Sequence, residues 1–136
     1  MRHYILATHL NFAEGIYESI KFIIGEQKNV HIINAFENEN DIEVIVKKML
    51  SKIPQEDEII VTTDILGGSV NNEFMKYLNR PGFYLITGMN LPLLMQLFLS
   101  TEKNTKKMIV KILESKETCP ILCNDLVQSK CAEEDF

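Results

Sequence analysis

A histidine and an aspartate follow two predicted β-strands and are the residues best placed to do chemistry. His9 comes after an apolar segment at residues 4–7 and precedes a helical pattern that begins at Phe12. Asp64 comes directly after a second apolar segment, residues 59–63. Histidine serves as base or nucleophile because its ordinary pKa lies near neutrality, and a carboxylate on one ring nitrogen fixes the tautomer and stabilises the imidazolium. The two residues indicate a reactive pair if the fold brings them together.

A glycine-rich segment supplies the third candidate feature. Gly67, Gly68 and Ser69 follow Asp64 at the start of another helical pattern. Glycines let the backbone approach a ligand closely, and consecutive N–H groups at a helix start bind anions. The chain after His9, beginning at Leu10, offers further donors. A phosphoryl group on His9 is therefore expected to be bound by Leu10, Gly67, Gly68 and Ser69.

Simpler roles stay open for each of these residues, and several known motifs are absent. The histidine can cap a helix, the aspartate can cap a turn, and the glycines can simply form one. A nucleophile elbow requires a glycine two residues after Ser69, where the chain has Asn71. Neither a Walker phosphate loop nor a dinucleotide fingerprint follows a strand. No metal-ligand spacing is apparent.

The elements that must position these side chains alternate along the chain. Their predicted order is β-α-β-α-β-α-β-α-α-β, with strands at residues 4–7, 30–35, 59–63, 83–87 and 121–123. This alternation predicts an α/β fold with a mostly parallel sheet and helices on both faces, and right-handed crossovers favour the order 2-1-3-4. His9 and Asp64 would then meet at the carboxyl edge of neighbouring strands, where such folds bind ligands.

Polar residues before the apolar stripes predict where the helices begin. The expected N-terminal caps are Asn11 (with Glu14), Asn40 (with Glu43), Ser69 and Asn90. The third helix is expected to continue to about Arg80. The stripes also predict that Phe12, Ile23, Leu78 and Leu113 face inward.

Composition predicts one soluble domain. The 136 residues are 46% hydrophobic and 24% charged, and the net charge of -5 argues against a nucleic-acid partner. The absence of an apolar run of about 20 residues and of a signal-peptide pattern predicts a cytoplasmic protein. Cys119, Cys123 and Cys131 fit neither a disulfide framework nor a zinc site, so reduced thiols are expected, with Cys123 on the last strand. His31 is expected to have no chemical role.

Three motifs together resemble one protein family. They are A-T-H-x-x-F-A-E-G at residues 7–15, T-D-x-x-G-G-S-x-x-N at residues 63–72 and G-x-N-L-P-L-L at residues 88–94. In this order and spacing they resemble the mannose-type (mannose/fructose/sorbose) enzyme IIA domain of the bacterial phosphoenolpyruvate-dependent sugar phosphotransferase system. The resemblance extends over most of the chain.

The resemblance implies a fold, a reaction and partners. The fold would be a 2-1-3-4 parallel sheet with a short antiparallel fifth strand, often exchanged between the subunits of a homodimer. His9 would accept a phosphoryl group from the histidine-containing phosphocarrier protein and pass it to a IIB component for sugar uptake, with Asp64 as its orienting partner. No metal or cofactor would be needed. Membrane association would arise only through the IIC/IID permease complex.

The chain departs from the usual sequence of this family at two positions, and two other functions stay open. Leu10 stands where the family often has glycine, and Val70 stands where it usually has proline. Val70 can begin a helix, whereas Leu10 places a bulky apolar group beside the site and bears on partner docking. The other functions are the phosphotransfer subunit of a dihydroxyacetone kinase, and a non-catalytic regulatory or ligand-binding α/β module.

Overall fold

The computed structural model describes residues 1–36 and 41–126 and contains a single four-stranded sheet in that part of the chain. Its strands are β1 (Arg2–His9), β2 (Val30–Ala35), β3 (Glu58–Thr63) and β4 (Phe83–Thr87). Its helices are α1 (Phe12–Ile24), α2 (Ile42–Ser51), α3 (Ser69–Met75), α4 (Leu91–Leu99) and α5 (Thr105–Glu114), followed by a 3₁₀ turn, Lys116–Thr118. No helix of these described residues is long and apolar enough to cross a membrane.

The sheet has the predicted order. Its strands run β2-β1-β3-β4, and every neighbouring pair is parallel. The register sets His9 opposite Ala35 of β2, and Ala7 opposite Thr63 of β3. The carboxyl ends of β1, β2 and β3 therefore lie side by side, which is the edge where the candidate residues were expected.

Each face of the sheet carries its own hydrophobic core. Successive residues of a strand point to opposite faces, so Ile5 and Ala7 pack in the cluster with α2 and α3, whereas Leu6 packs in the cluster with α1, α4 and α5. Both central strands are apolar on both faces, as a parallel sheet covered by two helix layers requires. The sheet is thus a rigid support for the residues at its carboxyl edge.

Several helix starts differ from the prediction. The side chain of Asn11 makes no capping hydrogen bond, and the Thr8 hydroxyl accepts the N–H of Ala13 at 2.7 Å instead. Asp41 caps α2 and accepts the N–H of Glu43, while Asn40 and Glu39 lie outside the described residues. Asn90 caps α4 as expected.

The third helix was also predicted incorrectly. Its cap is Gly68 rather than Ser69, and the helix ends at Met75 instead of continuing to Arg80. Residues 76–82 form turns, in which Lys76 and Tyr77 donate to carbonyls three residues back. The tighter turns shift the side chains out of helical register, and Leu78 becomes 46% exposed. Its predicted inward orientation is therefore wrong.

Three other predicted core residues are about half exposed. They are Phe12 (49%), Ile23 (50%) and Leu113 (48%). Phe12 begins α1, and Ile23 and Leu113 lie in the last turns of α1 and α5. A helix buries only the stripe that touches the sheet or a neighbouring helix, and its ends extend beyond that contact.

The predicted fifth strand is absent from the described residues. Residues 121–122 are irregular and residues 123–126 form a helical turn in which Asp125 donates to the Leu122 carbonyl. Just before this segment, Asn90 Nδ2 donates to the Thr118 carbonyl at 2.7 Å, which attaches the end of the 3₁₀ turn to the start of α4. Cys123 is exposed on this turn rather than on a strand.

Candidate functional site

His9 is the last residue of β1, two residues beyond the predicted end of that strand. The alternation of side chains along β1 directs Thr8 toward α1, where it caps the helix, and directs His9 toward the opposite face. Directly afterwards, the N–H of Leu10 donates to the Ala35 carbonyl at 2.7 Å and the chain turns with a φ of 52° at Leu10. The histidine is therefore fixed by a strand and by the turn that follows it.

The predicted pair of His9 and Asp64 is present in the structure. The Nδ1 atom of His9 lies 2.7 Å from Oδ2 of Asp64, and the backbone N–H of His9 donates to the same oxygen at 2.9 Å. The side chain of His9 is 37% exposed and that of Asp64 is 14% exposed. Since Nδ1 is engaged by the carboxylate, the Nε2 atom is the ring nitrogen left for a new bond.

The surroundings of Asp64 favour its ionised form. Burial by itself would raise the pKa of Asp64, but hydrogen bonds from the backbone N–H and the side chain of His9 outweigh it. A further bond comes from the N–H of Ile65 to Oδ1. The net effect is a pKa of Asp64 below the ordinary value for an aspartate. The carboxylate is thus a persistent negative charge beside the imidazole.

A buried polar contact connects Thr63, the residue before this aspartate, to α3. The Thr63 hydroxyl donates to Oδ1 of Asn71 at 2.7 Å and lies 3.0 Å from the hydroxyl of Thr87. Both Thr63 and Asn71 are almost fully buried. The contact joins the end of β3 to the first turn of α3 and to the end of β4, and so fixes both ends of the loop that carries Asp64 and the glycine segment.

The glycine segment lies directly against the histidine. A Cβ atom on Gly68 would be 3.1 Å from Cε1 of His9, which is closer than real Cβ contacts normally are. Gly67 has a φ of 79°, a conformation that favours glycine, and its carbonyl accepts a hydrogen bond from Asn72 Nδ2. Ser69 is the first residue of α3, where backbone N–H groups have no partner within the helix.

Leu10 differs from the expectation in one respect. Its N–H is already donated to Ala35 and is therefore not a free donor for a phosphoryl group. Its φ of 52° lies in the left-handed region, where an L side chain is strained and a glycine would not be. The Leu10 side chain is 56% exposed beside His9.

Exposed apolar side chains lie on the three segments that follow β1, β2 and β3 at this edge. We call them the apolar rim: Leu10, Phe12, Phe36, Ile65 and Leu66, which are 46–76% exposed. Phe36 stacks on the imidazole of His9, with ring centroids 5.5 Å apart. Phe36 was not among the predicted site residues, although it directly follows β2, which lies next to β1 in the predicted strand order.

The described residues contain no cluster of three or more histidine, cysteine, aspartate or glutamate side chains that could hold a metal ion. The site consists of an imidazole, a carboxylate, a glycine segment and the apolar rim. Such a set can form a covalent bond at a histidine nitrogen with an anionic group.

Known proteins are similar to this chain in sequence and in fold. Residues 3–114 match the family described as PTS system fructose IIA component, where PTS is the phosphotransferase system. A curated relative is the PTS system fructose-specific EIIA component of Bacillus subtilis (strain 168), which is 26% identical over 137 aligned residues, or 96% of this chain and 93% of the relative.

Two solved structures are similar over nearly their whole length. One, from Klebsiella pneumoniae subsp. pneumoniae MGH 78578, is described as a phosphoenolpyruvate-dependent sugar PTS permease and has a TM-score of 0.88 and 41% identity, covering 93% of each chain. The other, PTS component EIIA from Streptococcus agalactiae, has a TM-score of 0.76 and 28% identity, covering 92% of this chain and 99% of that one. The chain therefore belongs to the PTS fructose IIA component family, as a IIA component of the mannose/fructose type.

Proposed function

We propose that this protein is a phosphoryl carrier that accepts a phosphoryl group on His9 from the histidine-containing phosphocarrier protein and passes it to a IIB component for sugar uptake. The observation that carries the proposal is the 2.7 Å contact between His9 Nδ1 and Asp64, which leaves Nε2 as the nucleophilic atom of a partly exposed ring. Family membership supports the same reaction class.

The proposed transfer exchanges one nitrogen–phosphorus bond for another. The lone pair on Nε2 of His9 attacks the phosphorus atom carried by a histidine of the donor. The donor's nitrogen–phosphorus bond breaks, and its electron pair returns to the donor imidazole. The proton on Nδ1 of His9 stays in its hydrogen bond with Asp64. In the transfer to the IIB component, His9 is the donor: a side chain of the IIB component attacks the phosphorus atom, and the bond from phosphorus to Nε2 of His9 breaks.

The neighbouring groups favour this step in two ways. Asp64 holds the proton on Nδ1, which keeps the lone pair on Nε2, and its negative charge stabilises the imidazolium character that develops when the new bond forms. Gly67, Gly68 and Ser69 are proposed to bind the phosphoryl oxygens through backbone N–H groups. Positioning and electrostatic stabilisation together account for phosphoryl transfer without a metal or cofactor.

The apolar rim supports protein partners rather than a small substrate. Monomeric proteins seldom expose several large apolar side chains together unless the surface docks another molecule. A donor or acceptor protein that covers Leu66 and Ile65, which are 76% and 56% exposed, would also exclude water from the transferring group. Membrane association is proposed to occur only through the IIC/IID permease complex.

The test is phosphorylation in a reconstituted system. The protein is incubated with phosphoenolpyruvate, the kinase upstream in the pathway and the phosphocarrier protein, and is then examined by mass spectrometry. A gain of one phosphoryl group located on His9 is expected, followed by its loss when a IIB component is added.

Two variants make this test specific. His9→Ala should stay folded, because the side chain lies at a strand end, and should not be phosphorylated. His31→Gln changes a histidine at the opposite edge of the sheet and should be phosphorylated as wild type is. Phosphorylation of the His9→Ala protein, or a wild-type protein that remains unmodified while folded, would contradict the proposal.

A further inference from the structure

Phe36 occupies an unusual position beside His9. It follows the last residue of β2, and the register of β2 with β1 pairs its neighbour Ala35 with His9. Its ring lies on the imidazole, with a centroid distance of 5.5 Å and an angle of 29° between the planes. The two rings are therefore stacked rather than merely adjacent in the fold.

The backbone and exposure of Phe36 are unfavourable for a residue that serves only the fold. Its φ of 64° lies in the left-handed region, which a bulky L residue rarely adopts. Its side chain is 46% exposed and belongs to neither hydrophobic core. Strained residues of this kind occur where surrounding structure fixes them for a function.

The stacking of Phe36 adds a third restraint on the orientation of the His9 imidazole. Asp64 holds the ring at Nδ1, and the Cε1 edge of the ring lies where a Cβ atom of residue 68 would be only 3.1 Å away. These contacts act at edges of the ring and leave tilting about the hydrogen bond unrestrained. The ring of Phe36 is stacked on the imidazole and opposes that tilt.

The tilt of the ring matters because of where the lone pair lies. The lone pair of Nε2 is in the plane of the imidazole, so the plane of the ring determines the line of attack on phosphorus. Small misplacements of reacting atoms slow enzymatic steps strongly. An aromatic face also attracts a cation, and His9 gains imidazolium character when Nε2 is bonded to phosphorus while Nδ1 keeps its proton.

We propose that Phe36 is a positioning residue for phosphoryl transfer: its ring holds the imidazole of His9 in the plane of attack and shields the phosphorylated ring from water. This inference rests on the proposed phosphorylation of His9. In the reaction that is suppressed, water attacks the phosphorus atom, the Nε2–phosphorus bond breaks, and inorganic phosphate and free His9 result. A carrier must avoid this loss between its two partners.

The test compares three variants. Phe36→Gly removes the ring and suits the positive φ, so the fold should be retained. Phe36→Tyr keeps the ring and serves as the conservative variant. Phe22→Ala removes an aromatic ring from α1 that is 92% exposed, and serves as the control.

Three readouts separate positioning from partner docking. The first is the single-turnover rate of phosphorylation at saturating phosphocarrier protein, the second is the rate at which purified phosphorylated protein hydrolyses, and the third is the NMR shift of the His9 ring protons. In Phe36→Gly we expect transfer about 10-fold slower, hydrolysis several-fold faster and loss of the ring-current shift, in line with the worth of an aromatic pair. Hydrolysis and the NMR shift require no partner, so weaker docking cannot change them.

The possible results distinguish the inference about Phe36 from the proposed function itself. Wild-type values in Phe36→Tyr and Phe22→Ala, together with the changes in Phe36→Gly, support the inference. If Phe36→Gly transfers and hydrolyses as wild type does, or if Phe36→Tyr fails equally, the inference is overturned while the proposed function stands. If wild-type protein is never phosphorylated on His9, the proposed function fails first.

Discussion

Asp64 accepts three N–H hydrogen bonds, and they give it two roles at once. One carboxylate oxygen takes the backbone N–H and the ring of His9, while the other takes the N–H of Ile65. The last contact is the turn cap that the sequence left open as a simple role, and the first two are the predicted pairing with histidine. At the residue scale, the same side chain both shapes the turn and orients the imidazole.

Asp64→Asn separates the charge from the shape. The amide is of similar size, but it can present its donor face to Nδ1 and select the tautomer with the proton on Nε2. We expect phosphoryl transfer to fall by roughly 10- to 1,000-fold, less than the ~10⁴-fold of a serine-protease aspartate, because this site is partly open to water. Nitrogen NMR of His9 should show the altered tautomer.

Asp57→Asn is the matched control for that variant. Asp57 accepts a hydrogen bond from His3 Nε2 at 2.9 Å, a similar pair at the opposite edge of the sheet. The control should transfer phosphoryl groups at the wild-type rate. Equal transfer rates and equal His9 NMR spectra in Asp64→Asn and wild type would show that Asp64 only caps the turn.

At the element scale, the close approach of the glycine segment to β1 determines the shape of the site. Gly68 has a φ of -71°, which any residue can adopt, so its importance lies in space rather than in conformation. A Cβ atom there would lie 3.1 Å from His9 Cε1 and 3.1 Å from Ile65 Cγ1. With that atom present, the histidine ring or the Ile65 side chain would have to move by a few tenths of an ångström.

Gly68→Ala should therefore displace the ring of His9 without breaking α3. We expect transfer to fall by about 10-fold or more, since misplacement of reacting groups is costly, and thermal unfolding to show a folded protein. Gly15→Ala is the control: Gly15 lies within α1 with nothing within 4 Å of an added Cβ. That variant should gain up to about 1 kcal/mol in stability and transfer normally. Wild-type transfer in Gly68→Ala would refute the steric argument.

At the scale of the whole molecule, a second polar cluster lies at the amino edge of the sheet, opposite the candidate site. His3 Nδ1 lies 3.2 Å from His31 Nε2, and Asp57 binds both His3 and the N-terminal ammonium group of Met1. The hydrogen bond from His3 lowers the pKa of Asp57. Burial, followed by the electrostatic effect of the neighbouring His3, lowers the pKa of His31. The cluster joins β1, β2 and the loop before β3.

This cluster predicts that stability falls as the pH drops below neutrality. The unfolded chain binds a proton on His31 near its ordinary pKa of 6.5, whereas the folded chain resists it. The contribution of His31 to the free energy of unfolding is thus present above about pH 6.5 and is lost as the pH falls toward the lower pKa of His31 in the folded state. Thermal unfolding at pH 7 and pH 5 should show a smaller loss for His31→Gln than for wild type. Equal losses would contradict this role of His31.

Assembly is the second prediction at this scale. Ile121, Leu122 and Leu126 are 45–63% exposed, and β4 is an edge strand. Exposed apolar groups and strand edges invite pairing with another chain, and the family resemblance implies a homodimer. We expect sedimentation to show a dimer at micromolar concentration, with residues 121–126 at the contact. A stable monomer, or an oligomeric state unchanged by truncation after Pro120, would contradict this.

The sequence by itself predicted the parts of the protein that depend on local patterns. Runs of β-branched residues identified β3 and its neighbours, and the alternation with helices gave the order 2-1-3-4, which the structure confirms. That order alone was enough to bring His9 and Asp64 together, because parallel strands end at a common edge. The motifs around both residues identified the family, which the comparisons confirm.

Tertiary structure decided the features that depend on contacts between distant segments. Periodicity does not report that Thr8 rather than Asn11 caps α1, that Leu10 and Phe36 have positive φ, or that Phe36 stacks on His9. These features depend on the register of the strands. A shift of one residue in that register would move every side chain of a strand to the opposite face of the sheet. The end of α3 and the lack of a strand at residues 121–123 likewise follow from long-range packing, since a short segment adopts the conformation that its neighbours can pair with or cover.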